Sequence, residues 1–169
     1  MASFHERIQW ATAVAQRALR RPTWYLLSVT TDPQAGTEIL DCGYRDLRRR
    51  WLRSSVLQVC MVTVGDSQDT ARVVSSGAFA AADQKMAASI RELSTQDVGV
   101  EPGDAWLAAE RIAGGKRGRR MNVALLNHEG TQAWQAVIDD PGFGVHTVII
   151  ASADGRKLLH KIDREFPST

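Results

Sequence analysis

The chain has 169 residues, 44% of them apolar and 24% charged. This is the balance of a globular domain with one core, and it excludes a disordered, collagen-like or disulfide-scaffold chain. No apolar run approaches the roughly 20 residues a membrane-spanning helix needs, and the first twenty residues lack the continuous apolar stretch of a secretory signal. Only two cysteines occur, Cys42 and Cys60. Without an export signal they point to reduced thiols and a cytoplasmic protein, although spacing alone leaves open whether they pair.

The net charge of +2 conceals an asymmetry. Residues 1–60 carry nine arginines and five acids, whereas residues 61–169 carry twelve basic and fourteen acidic groups. Arginine outnumbers lysine seventeen to four. The basic clusters can therefore form planar, bidentate contacts with phosphate or carboxylate that lysine cannot.

In chain order, Ser3 and Glu6 form a capping box that opens a helix ending near Arg20, ahead of Pro22. Phe4, Ile8, Ala11, Ala15, Ala18 and Leu19 mark its apolar face. Residues 24–31 and 37–41 are rich in β-formers and flank the turn residues Asp32 to Gly36, which predicts a hairpin. A second helix is predicted over 44–53, with Tyr44, Leu47 and Trp51 inward. Residues 56–64 predict a strand, 65–69 a turn and 71–79 a returning strand. Helices are predicted over 81–95 and, capped by Asp104 and stopped by Gly114, over 105–113. A strand over 122–127, a helix from Thr131 to about Asp139 and a strand over 145–152 follow. Ala153-Asp154-Gly155 predicts a turn into a last strand over 157–162, a segment that could instead be helical.

The fold class expected is α/β, more specifically α+β. Its mixed sheet has an antiparallel N-terminal half, a βαβ-like C-terminal half and helices packed on it. One domain spans 1–169, and 96–104 is the place where it could divide into sub-lobes.

The strand entering Gly65-Asp66-Ser67 resembles the nucleophile block of the SGNH/GDSL hydrolases, which implies an acyl-transfer serine at Ser67. The chain departs from that family in three ways. The motif lies mid-chain, no Asp-x-x-His follows, and no Gly-x-Asn-Asp block occurs. The bland alternative is a hairpin turn made of turn-forming residues. His128 follows a predicted strand, and Asp140 lies one predicted helix later. A base with a carboxylate orienter could be assembled from them. The four histidines have no metal-ligand spacing, so no metal and no cofactor is expected. His146 opens an apolar strand and suits a hydrogen-bonded structural role.

Two cationic segments stand out. On a helix over 44–53, Arg45, Arg49 and Arg53 would line one face with Arg48 adjoining. The segment Gly114-Gly115-Lys116-Arg117-Gly118-Arg119-Arg120 interleaves cations with glycines but has neither phosphate-loop nor dinucleotide spacing. Each composition also suits a solvated face or a surface loop. The five tryptophans are better explained by core packing than by base stacking, with Trp10 the most exposed.

The expectation that follows is a binding module, leaning away from an enzyme. It would contact nucleic acid or an acidic protein surface through Arg45, Arg48, Arg49, Arg53, Lys116, Arg117, Arg119 and Arg120, with no membrane contact. The alternatives are a small hydrolase or transferase using Ser67, His128 and Asp140 on a phosphorylated or acyl substrate, and a protein that self-associates through helix 1 or an open sheet edge.

Overall fold

The computed structural model describes residues 2–18, 25–31, 39–48, 56–78, 91–114, 119–140 and 144–165. The chain divides into two compact units, one of residues 1–29 with 39–93 and the other of residues 30–38 with 94–169. Among the described residues, each unit has one α-helix and strands joined in antiparallel ladders.

In the first unit, helix α1 spans Phe4–Ala18. Its start is the capping box expected from the sequence. The Ser3 N–H donates to Glu6 Oε2 at 2.8 Å and the Glu6 N–H donates to Ser3 Oγ at 3.3 Å. These bonds satisfy two amides that the helix itself leaves without acceptors. Phe4, Ile8, Ala11 and Ala15 are buried as the 3.6-residue period requires, whereas Ala18, expected on the same face, is exposed and Arg7 is buried. Strands β1 (Tyr25–Thr31, residues 25–29 in this unit), β2 (Leu40–Arg48), β3 (Val56–Val64) and β4 (Arg72–Ala78) follow. Their order is β4-β3-β2-β1, and α1 packs on β3, β4 and β2. The guanidinium of Arg7 joins helix to sheet. Its Nε donates to the Gly65 carbonyl at 3.1 Å and its Nη2 to the Val64 carbonyl at 3.3 Å.

On β2, Leu40, Cys42 and Tyr44 alternate into the core. The Tyr44 hydroxyl and Thr12 Oγ1 share a hydrogen bond of 3.0 Å that ties β2 to α1. Both cysteines are free and buried. Burial pushes the Cys42 thiol up to about 12 and raises that of Cys60 as well, so almost no Cys42 thiolate exists at pH 8. Cys42 is therefore expected to resist iodoacetamide for hours in the folded protein and to react once urea unfolds it. Rapid native alkylation, followed by peptide mass analysis, would show that this unit opens.

In the second unit, helix α2 spans Pro102–Ile112. Pro102 occupies its first turn, where the missing amide costs no helical bond, and Glu101 is the cap residue. Asp104, expected as the cap, lies inside the first turn instead. Gly114, at φ +91°, ends the segment in the left-handed conformation that glycine adopts without strain. Strands β5 (Arg119–His128), β6 (Thr131–Asp140), β7 (Gly144–Ala151) and β8 (Leu158–Glu165) pair consecutively, each antiparallel to the next. Helix α2 packs on β6, β7 and β5. The core combines Trp106 and Ala109 of the helix with Leu125, Trp134, Ile138, Val148 and Ile150 of the sheet, all buried. The Trp134 indole N–H donates to the Val100 carbonyl at 2.9 Å.

The α+β class holds, but the βαβ-like C-terminal half does not form. Residues 131–139, expected as a helix, are strand β6. Trp134, Ala136 and Ile138 are buried at every second position, the period of a strand. The cause lies in the preceding turn. Glu129 at φ +48° and Gly130 at φ +88° form a two-residue loop with both central residues left-handed, the hairpin geometry that matches strand twist. The Gly130 N–H donates to Asn127 Oδ1 at 3.0 Å and braces it. Glutamate is an unusual occupant of that position, so Thr131 looked like a helix cap when it starts a hairpin strand.

The helix expected over 44–53 is corrected over 44–48, and its remainder, 49–53, lies outside the described residues. Residues 44–48 continue β2, and Arg45 and Arg48 stand opposite Val59 and Val56 of β3. Leu40, Cys42 and Tyr44 are buried at alternate positions, the period of a strand. The turn expected at 32–36 lies outside the described residues, as does the helix expected over 81–95 for its first ten positions. Residues 91–94 are irregular. The strands expected at 56–64, 71–79, 122–127, 145–152 and 157–162 all form, with ends shifted by a few residues.

Candidate functional site

Strand register gathers polar residues at one end of the second unit's sheet. Arg120, Ile138, His146 and Asp163 form one row across β5, β6, β7 and β8. The adjacent row is Arg119, Asp139, Val145 and Arg164. Asp140 and Glu165 stand on either side of Gly144. This end therefore holds Arg119, Arg120, Lys161 and Arg164 together with four acids. The segment 115–118, which contributes Lys116 and Arg117, joins it covalently at Arg119.

The row is fixed by His146. Its side chain is 7% exposed, and Nδ1 lies 2.7 Å from Asp163 Oδ1. Lys161 Nζ lies 3.2 Å from the other carboxylate oxygen, Oδ2. The hydrogen bond with His146, and then that with Lys161, hold the Asp163 carboxyl below its ordinary value. Asp163 thus carries full charge at neutral pH and orients both partners. The arrangement resembles a base with its carboxylate orienter. The burial of the ring, however, suits it to clamping β8 against β7 and fixing where Lys161 stands.

The residues singled out from sequence fall as follows. Ser67 lies in the exposed turn after β3, where its carbonyl accepts from the Thr70 hydroxyl at 2.6 Å and the Thr70 N–H at 3.1 Å. Thr70 Oγ1 also accepts from the Gly65 N–H at 2.7 Å. Gly65-Asp66-Ser67 therefore builds a braced turn. His128 and Asp140 do not meet. His128 pairs with Thr131 at the start of β6, and Asp140 ends that strand. Nine residues of strand separate the two positions by roughly 30 Å. Residues 45–48 are strand, so the expected helical arginine face is not formed there. Arg49, Arg53, Lys116 and Arg117 lie outside the described residues. Arg119 and Arg120 open β5, and Arg119 stands directly across from Asp139.

Sequence reasoning missed the partnership of His146 with Asp163 and the burial of Arg7. The first depends on register between β7 and β8, which no local pattern encodes. Arg7 was legible in part, since it lies beside Phe4 and Ile8 on the helix surface that packs on the sheet.

Helix-then-strands units built on antiparallel ladders place the chain in the α+β class. No family model and no curated protein matches it. Among solved structures it is similar to the crystal structure of a "putative lipoprotein" from Clostridium difficile 630, with 10% identity, 91% of this chain and 90% of that one covered, and a TM-score of 0.59. At that identity the likeness is one of fold alone. Among the described residues, no helix is long and apolar enough to cross a membrane.

Proposed function

We propose that this chain is a binding module that contacts an anionic partner, a nucleic acid or an acidic protein surface, through the basic end of its C-terminal unit. The observation that carries this reading is the register that sets Arg119 and Arg120 in the same rows as His146, Asp163 and Arg164. Cations from two segments some forty residues apart thereby share one end of a sheet. The four acids there offset the four cations of the strands, and the positive surplus comes from Lys116 and Arg117. Glycines 114, 115 and 118 around them permit close approach to a phosphate or carboxylate backbone. The two buried, unpaired thiols favour a reducing, cytoplasmic setting for this activity.

The test is binding of a labelled oligonucleotide, and separately of poly-glutamate, by fluorescence anisotropy across a salt series. If four phosphates are neutralised, affinity should fall about a hundredfold between 50 and 200 mM salt. Lys116→Ala, Arg117→Ala, Arg119→Ala and Arg120→Ala should each reduce the salt slope by about 1. Arg45→Ala, on the other unit, should leave the slope unchanged. Binding that ignores salt, or that survives all four C-terminal substitutions together, would remove this reading. Preference for the oligonucleotide or for poly-glutamate then decides the class of partner.

A further inference from the structure

His128 and His160 lie on β5 and β8, the first and last strands of the second unit's meander, yet their ring centroids are 5.9 Å apart with the planes tilted by 31°. Three ladder spacings of about 4.8 Å separate these strands, so the sheet must coil strongly to bring the rings together. The register puts both residues on the same face of the sheet. His160 stands opposite Ile149, which stands opposite Gln135 and then Ala124. His128 is four residues beyond Ala124 on β5, hence on that same face.

Two local irregularities adjoin the pair. The two-residue turn at Glu129 and Gly130 begins directly after His128 and fixes its backbone. On β8 the register slips between Ile149 and Ile150, so that Leu159 is an extra residue directly before His160. A bulge of this kind redirects the neighbouring side chain and is over-represented beside functional sites. His128 is half-buried and His160 exposed, which leaves the pair open to a solute on one side.

We propose that His128 and His160 together bind one divalent transition-metal ion, of the zinc, nickel or copper(II) class. Imidazole nitrogen is the donor those ions favour. With metal–nitrogen bonds of about 2.0–2.1 Å, two imidazoles on one ion have centroids roughly 4.5–6.4 Å apart for ligand angles between 90° and 180°. The observed separation falls inside that span. Among the described residues, no group of three or more histidine, cysteine, aspartate or glutamate side chains is placed to hold a metal. The proposed site takes His128 and His160 as its protein ligands, with water at the remaining positions. Such an ion would staple β5 to β8, and its open positions would remain accessible to an outside donor. This inference is independent of anion binding at the other end of the sheet.

The test is isothermal titration of the full chain, free of any affinity tag, with zinc, nickel and copper(II) chlorides at pH 7.5. One ion per chain is expected for at least one of the three metals. His160→Gln and His128→Gln should each weaken binding at least tenfold and together abolish it, whereas His5→Gln should leave it unchanged. Saturating metal should raise the unfolding temperature of the wild type and not of His160→Gln. In two-dimensional NMR with diamagnetic zinc, the imidazole resonances of His128 and His160 should shift ahead of those of His5. His160 is solvent-exposed, so its variant is expected to fold, and circular dichroism checks this. Absence of saturable binding by all three metals, or binding undiminished in the folded His160→Gln variant, would overturn the proposal.

Discussion

Trp134→Ala is expected to destabilise the protein by about 3–5 kcal/mol, the range for deleting a large aromatic side chain from a packed interior. Trp134 is fully buried. It stands on β6 between Leu125 of β5 and Ile150 of β7, both also buried, so the void has walls on either side that belong to paired strands and can collapse only partly. The substitution also leaves the Val100 carbonyl, just ahead of α2, without the indole donor that reaches it at 2.9 Å. Trp134→Phe separates these effects. It retains most of the apolar surface and loses the hydrogen bond, for an expected cost of about 1–2 kcal/mol. Urea unfolding followed by circular dichroism measures both. Equal losses for phenylalanine and alanine would mean that the indole bond, and not packing, dominates this site.

Arg7→Ala is expected to cost about 2–4 kcal/mol, which is unusual for an arginine on a helix of mixed polarity. Arg7 is 2% exposed, and its guanidinium supplies donors to two consecutive carbonyls, those of Val64 and Gly65, where β3 ends. Hydrogen bonds from a charged donor contribute more than neutral ones, and removing the donor leaves buried acceptors unpaired. Arg7→Met tests the argument. Methionine fills much of the same volume with apolar atoms but donates nothing, so it should recover less than half of the alanine loss. A methionine variant as stable as the wild type would show that Arg7 acts by packing alone.

Where a single element's pattern is unambiguous, it was legible before any fold was known. Ser3 and Glu6 specify the start of α1, and the period of Phe4, Ile8, Ala11 and Ala15 specifies its buried face. The β-branched run at 56–64 specifies β3. The misassignments occur where two periods compete. Residues 44–53 contain a helix-spaced trio in Tyr44, Leu47 and Trp51, but Leu40, Cys42 and Tyr44 are buried in β2, and over 44–48 strand spacing wins. Residues 131–139 begin with a good cap residue and contain alanine and glutamine, yet the left-handed pair Glu129 and Gly130 turns the chain back on itself. Once reversed, it pairs with β5.

The candidate site was less legible for a related reason. Arg119 and Arg120 were singled out by local composition, which survives any change of secondary structure. The assembly of a helical face from Arg45, Arg48, Arg49 and Arg53 depended on a period of 3.6, and it failed over residues 45–48 once they proved to be strand. The pairing of His128 with Asp140 failed because the length of strand β6, not a compact helix, lies between their positions. The contacts that do form, His146 with Asp163 and His128 with His160, join residues seventeen or more positions apart and answer to register and sheet coiling.

By itself the sequence determined the class of fold, the cap and buried face of the first helix, most of the strands, and the cationic character of the segment at 114–120. Only the tertiary structure decided which strands are neighbours, that the C-terminal half is an antiparallel meander, and which histidines meet each other or a carboxylate. The physical reason is range. Capping and hydrophobic period are set by residues within four or five positions of one another. Ladder register is set by the simultaneous burial of whole strand faces and by the one-residue slips of bulges, which are properties of the assembled sheet.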